Sequence, residues 1–264
     1  MRYRLAAIDL DGTLLDARNG VSAANAAALH GLAHAGIVIA PATARPYRSA
    51  LRHFEAAGLE VAAITSAGAD VRLAGGEVVH QAAMPAAFAP VIAALCDDAG
   101  WAATFATTHN TYRRENEVPA WAAGRTNIVA VTRLADADLS GLLAVLAHVP
   151  IDDPRLEELL PWQGSITAHR ALAFNGETLL TLTGAGIDKG YGLRALCAAL
   201  AIAPAEAVAF GDSDVDLPMF AAAGLAVAMG DAAEHVKDHA AMVTANAAED
   251  GFAAAVAWLL GSRQ

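Results

Sequence analysis

Cationic residues are scarce in this chain. Lysine and arginine number 17 against 28 aspartates and glutamates, so the 264 residues carry a formal charge of −11 at pH 7. A general nucleic-acid binder needs a cationic footprint to displace counterions from phosphates, and none is visible, so no nucleic-acid partner is expected. A small phosphorylated ligand stays open, because one local Lys or Arg with a metal can serve it. Cysteine is scarce too. Cys96 and Cys197 lie far apart, match no metal-binding spacing and fit a reducing cytoplasm. No uncharged apolar stretch reaches the ~18 residues of a membrane span. The N-terminal apolar run stops at Asp9, too soon for a signal peptide. The expectation is a soluble, cytoplasmic chain with no membrane partner.

What is present points to a packed protein. Apolar residues make up 56% and charged residues only 17%, enough for a sizeable core and against disorder. Much of the apolar share is alanine, which favours helix but fills little volume. That composition predicts a helix-rich, closely packed chain, long enough for one large domain or two smaller ones.

The first part of the chain alternates short apolar runs with helical patterns. Leu5 to Leu10 reads as a buried strand followed by a turn at Asp11-Gly12. Ser22 is placed to cap a helix ending before Gly36. Ile37 to Ala40 is a second strand, Pro46 opens a helix running to about Ala57, and Val61 to Ile64 is a third strand. The rhythm returns near the C-terminus. Asp188 caps a helix from Lys189 to Leu200, and Ala207 to Phe210 is a strand. A short helix stops before Gly224, Leu225 to Ala228 is a strand, and a last helix runs from Gly251 to Leu260. Such alternation predicts a parallel sheet covered by helices. The middle is less regular, with helices expected at Ala86 to Ala99 and Asp138 to Ala147, and strands at Ile128 to Thr132 and Thr178 to Thr183. It reads as an inserted α+β domain.

Three polar clusters follow three predicted core strands: Asp9-Leu10-Asp11-Gly12-Thr13, Ala42-Thr43-Ala44-Arg45, and Gly211-Asp212-Ser213-Asp214-Val215-Asp216. In a parallel sheet all strand C-termini lie on one edge, and their loops converge where strand order reverses. Asp9 and Asp11 are two apart, so a strand period of two sends both side chains the same way. Gathering Asp9, Asp11, Asp212 and Asp216 creates strong repulsion, roughly 4 kcal/mol for each pair of charges about 4 Å apart at an effective dielectric of about 20. One lysine cannot offset several such pairs. A divalent cation with oxygen ligands can, and Mg²⁺ fits best, because it accepts a few carboxylates, waters and a phosphate oxygen. Taken singly, each cluster has a bland reading: Asp-Gly is often only a turn, Lys189 a surface lysine, Thr43 a helix start. Their conjunction at matching topological positions favours a phosphate-handling metal site.

With these motifs the chain resembles the haloacid dehalogenase superfamily, in particular its Cof-type phosphatases of subfamily IIB. The resemblance rests on Ile8-Asp9-Leu10-Asp11-Gly12-Thr13-Leu14-Leu15, Ala42-Thr43-Ala44-Arg45-Pro46-Tyr47, Gly186-Ile187-Asp188-Lys189-Gly190 and Phe210-Gly211-Asp212-Ser213-Asp214-Val215-Asp216. It implies an α/β fold: a Rossmann-like parallel-sheet core over 1–83 and 184–264, with an inserted α+β cap of C2 type over 84–183. It further implies Asp9 as nucleophile and metal ligand, and Asp11 as acid/base whose backbone carbonyl also binds Mg²⁺. Thr43, the Ala44 N–H, Arg45 and Lys189 would hold phosphate, Asp212 would complete the metal site, and Asp216 would support it. The implied activity is Mg²⁺-dependent hydrolysis of a small phosphorylated metabolite, with sugar phosphates first among the classes and nucleotide or cofactor phosphates next.

Three positions depart from the family's habit: Ala44 stands where Gly is common, and Ala67 and Val215 where Asn is common. Valine cannot hydrogen-bond, so one polar contact near the phosphate or lysine is lost. A phosphomutase with the same covalent chemistry and a weakly active phospho-ligand sensor are the alternatives. In the cap, His109, Tyr112, Arg113, Arg114, Trp121 and Arg125 are candidates for touching substrate. Oligomeric state is not legible.

Overall fold

The computed structural model describes residues 3–122, 127–172 and 178–261. The chain divides into two compact units, Met1–His80 with Asp188–Gln264, and Gln81–Ile187. In chain order the first unit begins with β1 (Leu5–Ile8), α1 (Ala23–His34), β2 (Val38–Pro41), α2 (Tyr47–Ala56), β3 (Ala63–Thr65), β4 (Asp70–Arg72) and β5 (Val78–Gln81). The second unit holds α3 (Phe88–Ala99), β6 (Ala103–Thr107), β7 (Thr111–Arg114), β8 (Ile128–Val131), β9 (Leu142–Val149), β10 (Ile166–Leu172) and β11 (Thr178–Gly184). The chain then completes the first unit with α4 (Lys189–Ala199), β12 (Ala207–Gly211), α5 (Leu217–Ala222), β13 (Leu225–Ala228), α6 (Glu234–Lys237), β14 (Met242–Val243) and α7 (Gly251–Gly261).

The first unit is built on a parallel five-stranded sheet in the order β14-β13-β12-β1-β2. Its two faces are packed differently. Toward α1, α2 and α7 the strands present Ile8, Ile39, Val208, Phe210, Leu225 and Val227, which meet Leu29, Phe54 and Phe252. Phe210 and Phe252 form an edge-to-face pair at 5.1 Å, and each fully buried Leu, Ile or Phe here contributes about 1.5–3 kcal/mol. Toward α4, α5 and α6 the same strands present Ala7, Ala40, Ala207, Ala209, Ala226 and Ala228. The alanine content thus serves a sheet face as well as helices. Small side chains let α4 lie close: a Cβ on Gly190 would stand 2.2 Å from the Pro218 carbonyl oxygen, and one on Gly192 2.5 Å from Ile64.

Helix starts follow their caps. Ser22 Oγ accepts from the Asn25 N–H, and the Asp188 carboxylate accepts from the Tyr191 N–H at 2.7 Å. The third predicted strand is shorter than expected and differently attached. β3 touches the parallel sheet through the Ala42–Ile64 bridge and otherwise pairs antiparallel with β4, in a three-stranded sheet ordered β3-β4-β5.

The second unit is a six-stranded sheet ordered β10-β11-β9-β6-β7-β8, antiparallel except for the β7–β8 pair. Helix α3 buries Phe88, Ile92, Leu95 and Cys96 in the same cluster as Phe105, Val145, Leu180 and Leu182. The helix expected over Asp138 to Ala147 is absent and β9 runs there instead. Asp138 Oδ1 accepts from the Ser140 N–H at 3.1 Å and Oγ at 2.6 Å, and Gly141 follows at φ 65°, which breaks any helix before it starts. Leu142 to Val145 are all buried, so the first half of this central strand shows no alternation that would separate it from a buried helix. No helix among the described residues is long and apolar enough to cross a membrane.

Candidate active site

The strand order reverses between β1 and β12, and the crevice at their C-terminal ends is where such sheets place ligands. Asp9 follows β1 directly, its N–H bonded to the Phe210 carbonyl of β12 at 2.9 Å. Asp212 follows β12. Gly12 lets the two loops close: at φ 86° it has no Cβ, and one built there would lie 2.5 Å from Asp212 Oδ2. Thr13 Oγ1 then donates to Asp212 Oδ1 at 3.0 Å.

Lys189, at the first turn of α4, enters the same crevice. Its Nζ lies 2.5 Å from Asp9 Oδ1 and 2.6 Å from Asp216 Oδ1, and all three groups are at least 95% buried. Asp216 is saturated: its Oδ2 accepts from the N–H of Asp212 and Ser213 and from the Ser213 hydroxyl at 3.0–3.2 Å. Its task is to hold Lys189 and the Asp212 loop.

The electrostatics of this cluster are unbalanced. Carboxylate oxygens of Asp9, Asp212 and Asp216 lie within 4.8 Å of one another, with Lys189 the ammonium bonded among them. Burial pushes Asp9 well above the usual carboxylate range, and the charges of Asp216, Asp212 and Asp11 push further, against the pull of Lys189. Asp212 is pushed up to about 7, by burial first and then by Asp216. Burial alone would lower Lys189, but Asp216 and Asp9 more than offset that and hold it above its ordinary value. Two carboxylates raised beside an ammonium mark a surplus of negative charge, and the donor set is all oxygen. A hard divalent cation fits it.

Asp11 stands apart from that cluster. Its side chain is 55% exposed and is gripped by Arg45, whose Nε donates to Oδ2 at 2.7 Å while Nη2 donates to Oδ1. Arg45 Nη2 also donates to Asn19 Oδ1 at 2.7 Å. Thr43 is buried, held by its N–H to the Ile64 carbonyl at 2.9 Å, and its Oγ1 accepts from the Arg45 N–H at 3.2 Å. Ala44 between them is half-buried. The turn behind this loop is strained. Ser66, Ala67 and Gly68 have φ of 51°, 55° and 99°, and the N–H groups of Ser66 and Ala67 donate to the carbonyls of Arg45 and Thr43. A Cβ on Gly68 would stand 2.0 Å from the Asp188 carbonyl oxygen, so this turn packs against the start of α4.

Over residues 6–256 the sequence matches the family of haloacid dehalogenase-like hydrolases. The chain belongs to that family. Within it, the Cof-type, subfamily IIB resemblance drawn from the motifs holds. The hydrolase is 29% identical to an HMP-PP phosphatase of Cronobacter sakazakii, across 87% of this chain and 85% of that one. It is 26% identical to the 5-amino-6-(5-phospho-D-ribitylamino)uracil phosphatase YitU of Bacillus subtilis, across 94% of each. Its fold matches that of a subclass IIB sugar phosphatase with a TM-score of 0.80, at 24% identity and 97% and 98% coverage.

Sequence reasoning named the hydrolase's clustered residues but missed what holds them. Thr13 and Ser213 lie inside the motifs but the sequence assigns them no role, and nothing local marks Asn19 beyond the Asn19-Gly20 turn signal. Val215 is half-buried in the turn between Asp214 and Asp216. Among the insert's candidates, Arg113 donates to Thr104 Oγ1 and the Glu117 carbonyl, and Arg114 to Glu117, Cys96 and Trp101. Tyr112 is buried, Trp121 half-buried and His109 exposed. Both arginines are therefore committed to the insert's own framework. Arg125 lies outside the described residues.

Proposed function

We propose that this hydrolase is a Mg²⁺-dependent phosphatase that releases phosphate from a small phosphorylated metabolite, a sugar phosphate first among the candidates, through an aspartyl-phosphate on Asp9. One observation carries the reading: the Lys189 ammonium is buried between Asp9 and Asp216 at the strand-order reversal, with the Asp212 carboxylate beside them. Lys189 occupies Asp9 Oδ1 and leaves Oδ2 for attack on phosphorus. As the new O–P bond forms, the bond from phosphorus to the ester oxygen breaks, and Asp11 gives that oxygen its proton. Water then attacks the phosphorus of the acyl phosphate, Asp11 takes a proton from it, and Asp9 is regenerated with inorganic phosphate.

Thr43, the Ala44 N–H and Lys189 would bind the phosphoryl oxygens, joined by Arg45 through Nη1, since its Nε and Nη2 are bonded to Asp11 and Asn19. Asp9 and Asp212 would hold Mg²⁺ by their side chains and Asp11 by its backbone carbonyl, with Asp216 in support. The ion would neutralise the carboxylates and the phosphoryl charge, which phosphoryl transfer chiefly requires. Support for a phosphate ester comes from the phosphatases of Cronobacter sakazakii and Bacillus subtilis that this chain is similar to, and for a sugar phosphate from the subclass IIB neighbour. Two buried, unpaired thiols, Cys96 and Cys197, fit the cytoplasm. The test is a phosphate-release assay over a sugar-phosphate panel with Mg²⁺, with EDTA and with Asp9→Asn. Release that both EDTA and the substitution abolish is expected. Full release by Asp9→Asn would sink the nucleophile assignment, and a rearranged product without phosphate would point to a mutase.

A further inference from the structure

The loop from Asp16 to Gly20 takes no part in the chemistry proposed above, yet it ends on a partner of the acid/base. Asp16 closes the loop on itself. Its N–H donates to the Gly20 carbonyl at 2.9 Å, its carbonyl accepts from the Asn19 N–H at 2.8 Å, and its Oδ1 accepts from the N–H of Arg18 and of Gly20, both at 2.9 Å. Asn19 is thereby fixed at φ 63°, a left-handed conformation that asparagine adopts more readily than most residues. So placed, its amide oxygen accepts from Arg45 Nη2 at 2.7 Å.

Arginine carries five donors in a rigid plane, and here one edge of that plane is fully assigned. Nε takes Asp11 Oδ2, while Nη2 divides its two hydrogens between Asp11 Oδ1 and Asn19 Oδ1. The second bond sets the rotation of the plane. Without it, a guanidinium on a long side chain could follow the Asp11 carboxyl through its rotamers instead of fixing it. Asp11 needs fixing, because its side chain is 55% exposed on a turn, unlike the buried Asp9 and Lys189. Proton transfer to a leaving oxygen demands heavy-atom placement within hydrogen-bond reach. Asp11 has no other charged neighbour bonded to its side chain among the described residues.

We propose that Asn19 is a positioning residue that acts through Arg45 to hold the Asp11 carboxyl where it can serve the leaving oxygen. The proposal rests on the reading of Asp11 as acid/base, and leaving-group dependence separates the two. p-Nitrophenolate departs without a proton, whereas the alkoxide of glucose 6-phosphate needs one. Asn19→Gly tolerates the left-handed backbone and removes the side chain that carries the amide. Its kcat/KM on glucose 6-phosphate is expected to fall about fivefold, the effect of one modest hydrogen bond, with p-nitrophenyl phosphate within about twofold of wild type and the melting temperature unchanged. Asn19→Asp keeps an acceptor for Nη2 and is expected to retain the glucose 6-phosphate activity. In an Arg45→Met background Asn19→Gly should add nothing, since the two act in series. Equal losses on both substrates, or additive losses with Arg45→Met, would overturn the role of Asn19. If Asp11→Asn slows the first phosphoryl transfer, read as the pre-steady-state burst, equally on both substrates, the acid/base reading fails and this proposal goes with it.

Discussion

Asp9 and Lys189 stand 180 positions apart in the chain and meet as a buried pair, Nζ to Oδ1 at 2.5 Å. Asp216 shares the same ammonium, so the lysine is the joint between the first loop, helix α4 and the loop after β12. Lys189→Met would leave two buried carboxylates without their cation, and breaking a buried pair from one side costs about 3–5 kcal/mol. Denaturant unfolding at neutral pH should register a loss of that order, along with loss of phosphate release. Unchanged stability would mean the pair is not buried as described.

Metal binding should depend on pH in a defined direction. Asp9 is raised and Asp212 is pushed up to about 7, so the folded, metal-free protein holds protons there that the unfolded chain has released. These groups make stability fall as pH rises from about 4 to about 7. Buried His53, lowered to about 4, works the other way, since its contribution is lost as pH falls through about 6.5 to 4. Absolute stability therefore mixes two slopes, and the shift in melting temperature caused by Mg²⁺ isolates the site. That shift should be small near pH 5, where protons occupy the carboxylates, and grow toward pH 8, where Mg²⁺ at a hundredfold excess over Kd adds about 2.7 kcal/mol of stability. Asp212→Asn should remove it. A shift that shrinks with rising pH would contradict the assignment.

Close packing of α4 against α5 fixes the helix turn that carries Lys189. Gly190→Ala would put a methyl 2.2 Å from the Pro218 carbonyl oxygen, and α4 must back away. Overpacking of this kind costs about 1–3 kcal/mol. Because the displaced helix carries Lys189, kcat should fall by at least about tenfold, as expected when a reacting group shifts by a fraction of an ångström to an ångström. A variant with lowered melting temperature and wild-type kcat would show that the helix packing and the lysine are uncoupled.

Ala67 sits at φ 55°, where an alanine costs about 1 kcal/mol more than a glycine. Ala67→Gly should stabilise the protein by about that amount, and Ala67→Asn by less. Denaturant midpoints read this directly. No gain from either would mean that neighbouring contacts, not the backbone, set the energy of this turn.

Much of the first unit was legible because its signals are local. Ser22 and Asp188 cap the helices they precede, and the two-residue step from Asp9 to Asp11 placed both at one strand end. What that step could not reveal is that Asp11 turns to Arg45 while Asp9 turns to Lys189, since each partner comes from a distant segment. The second unit was harder. Leu142 to Val149 is rich in Leu and Ala, its first four residues are all buried and alternation begins only at Leu146, so its pairing with β6 and β11 decides that it is a strand. β6 and β10 are short runs of Ala, Thr and a few larger residues, with little of the Val and Ile content that marks a strand, although Gly164 and Asn175-Gly176 bracket β10 in the sequence.

The account turns on phosphorus becoming bonded to Asp9, and an Asp11→Asn variant offers the clearest view of it. With p-nitrophenyl phosphate and Mg²⁺ the first transfer needs no proton, while hydrolysis of the acyl phosphate lacks its base. Rapid acid quench followed by peptide mass mapping should find a burst of one nitrophenolate per enzyme and a phosphoryl group on the peptide containing Asp9. Steady phosphate release with no burst and an unmodified Asp9 peptide, or a phosphoryl group on another residue, would contradict it.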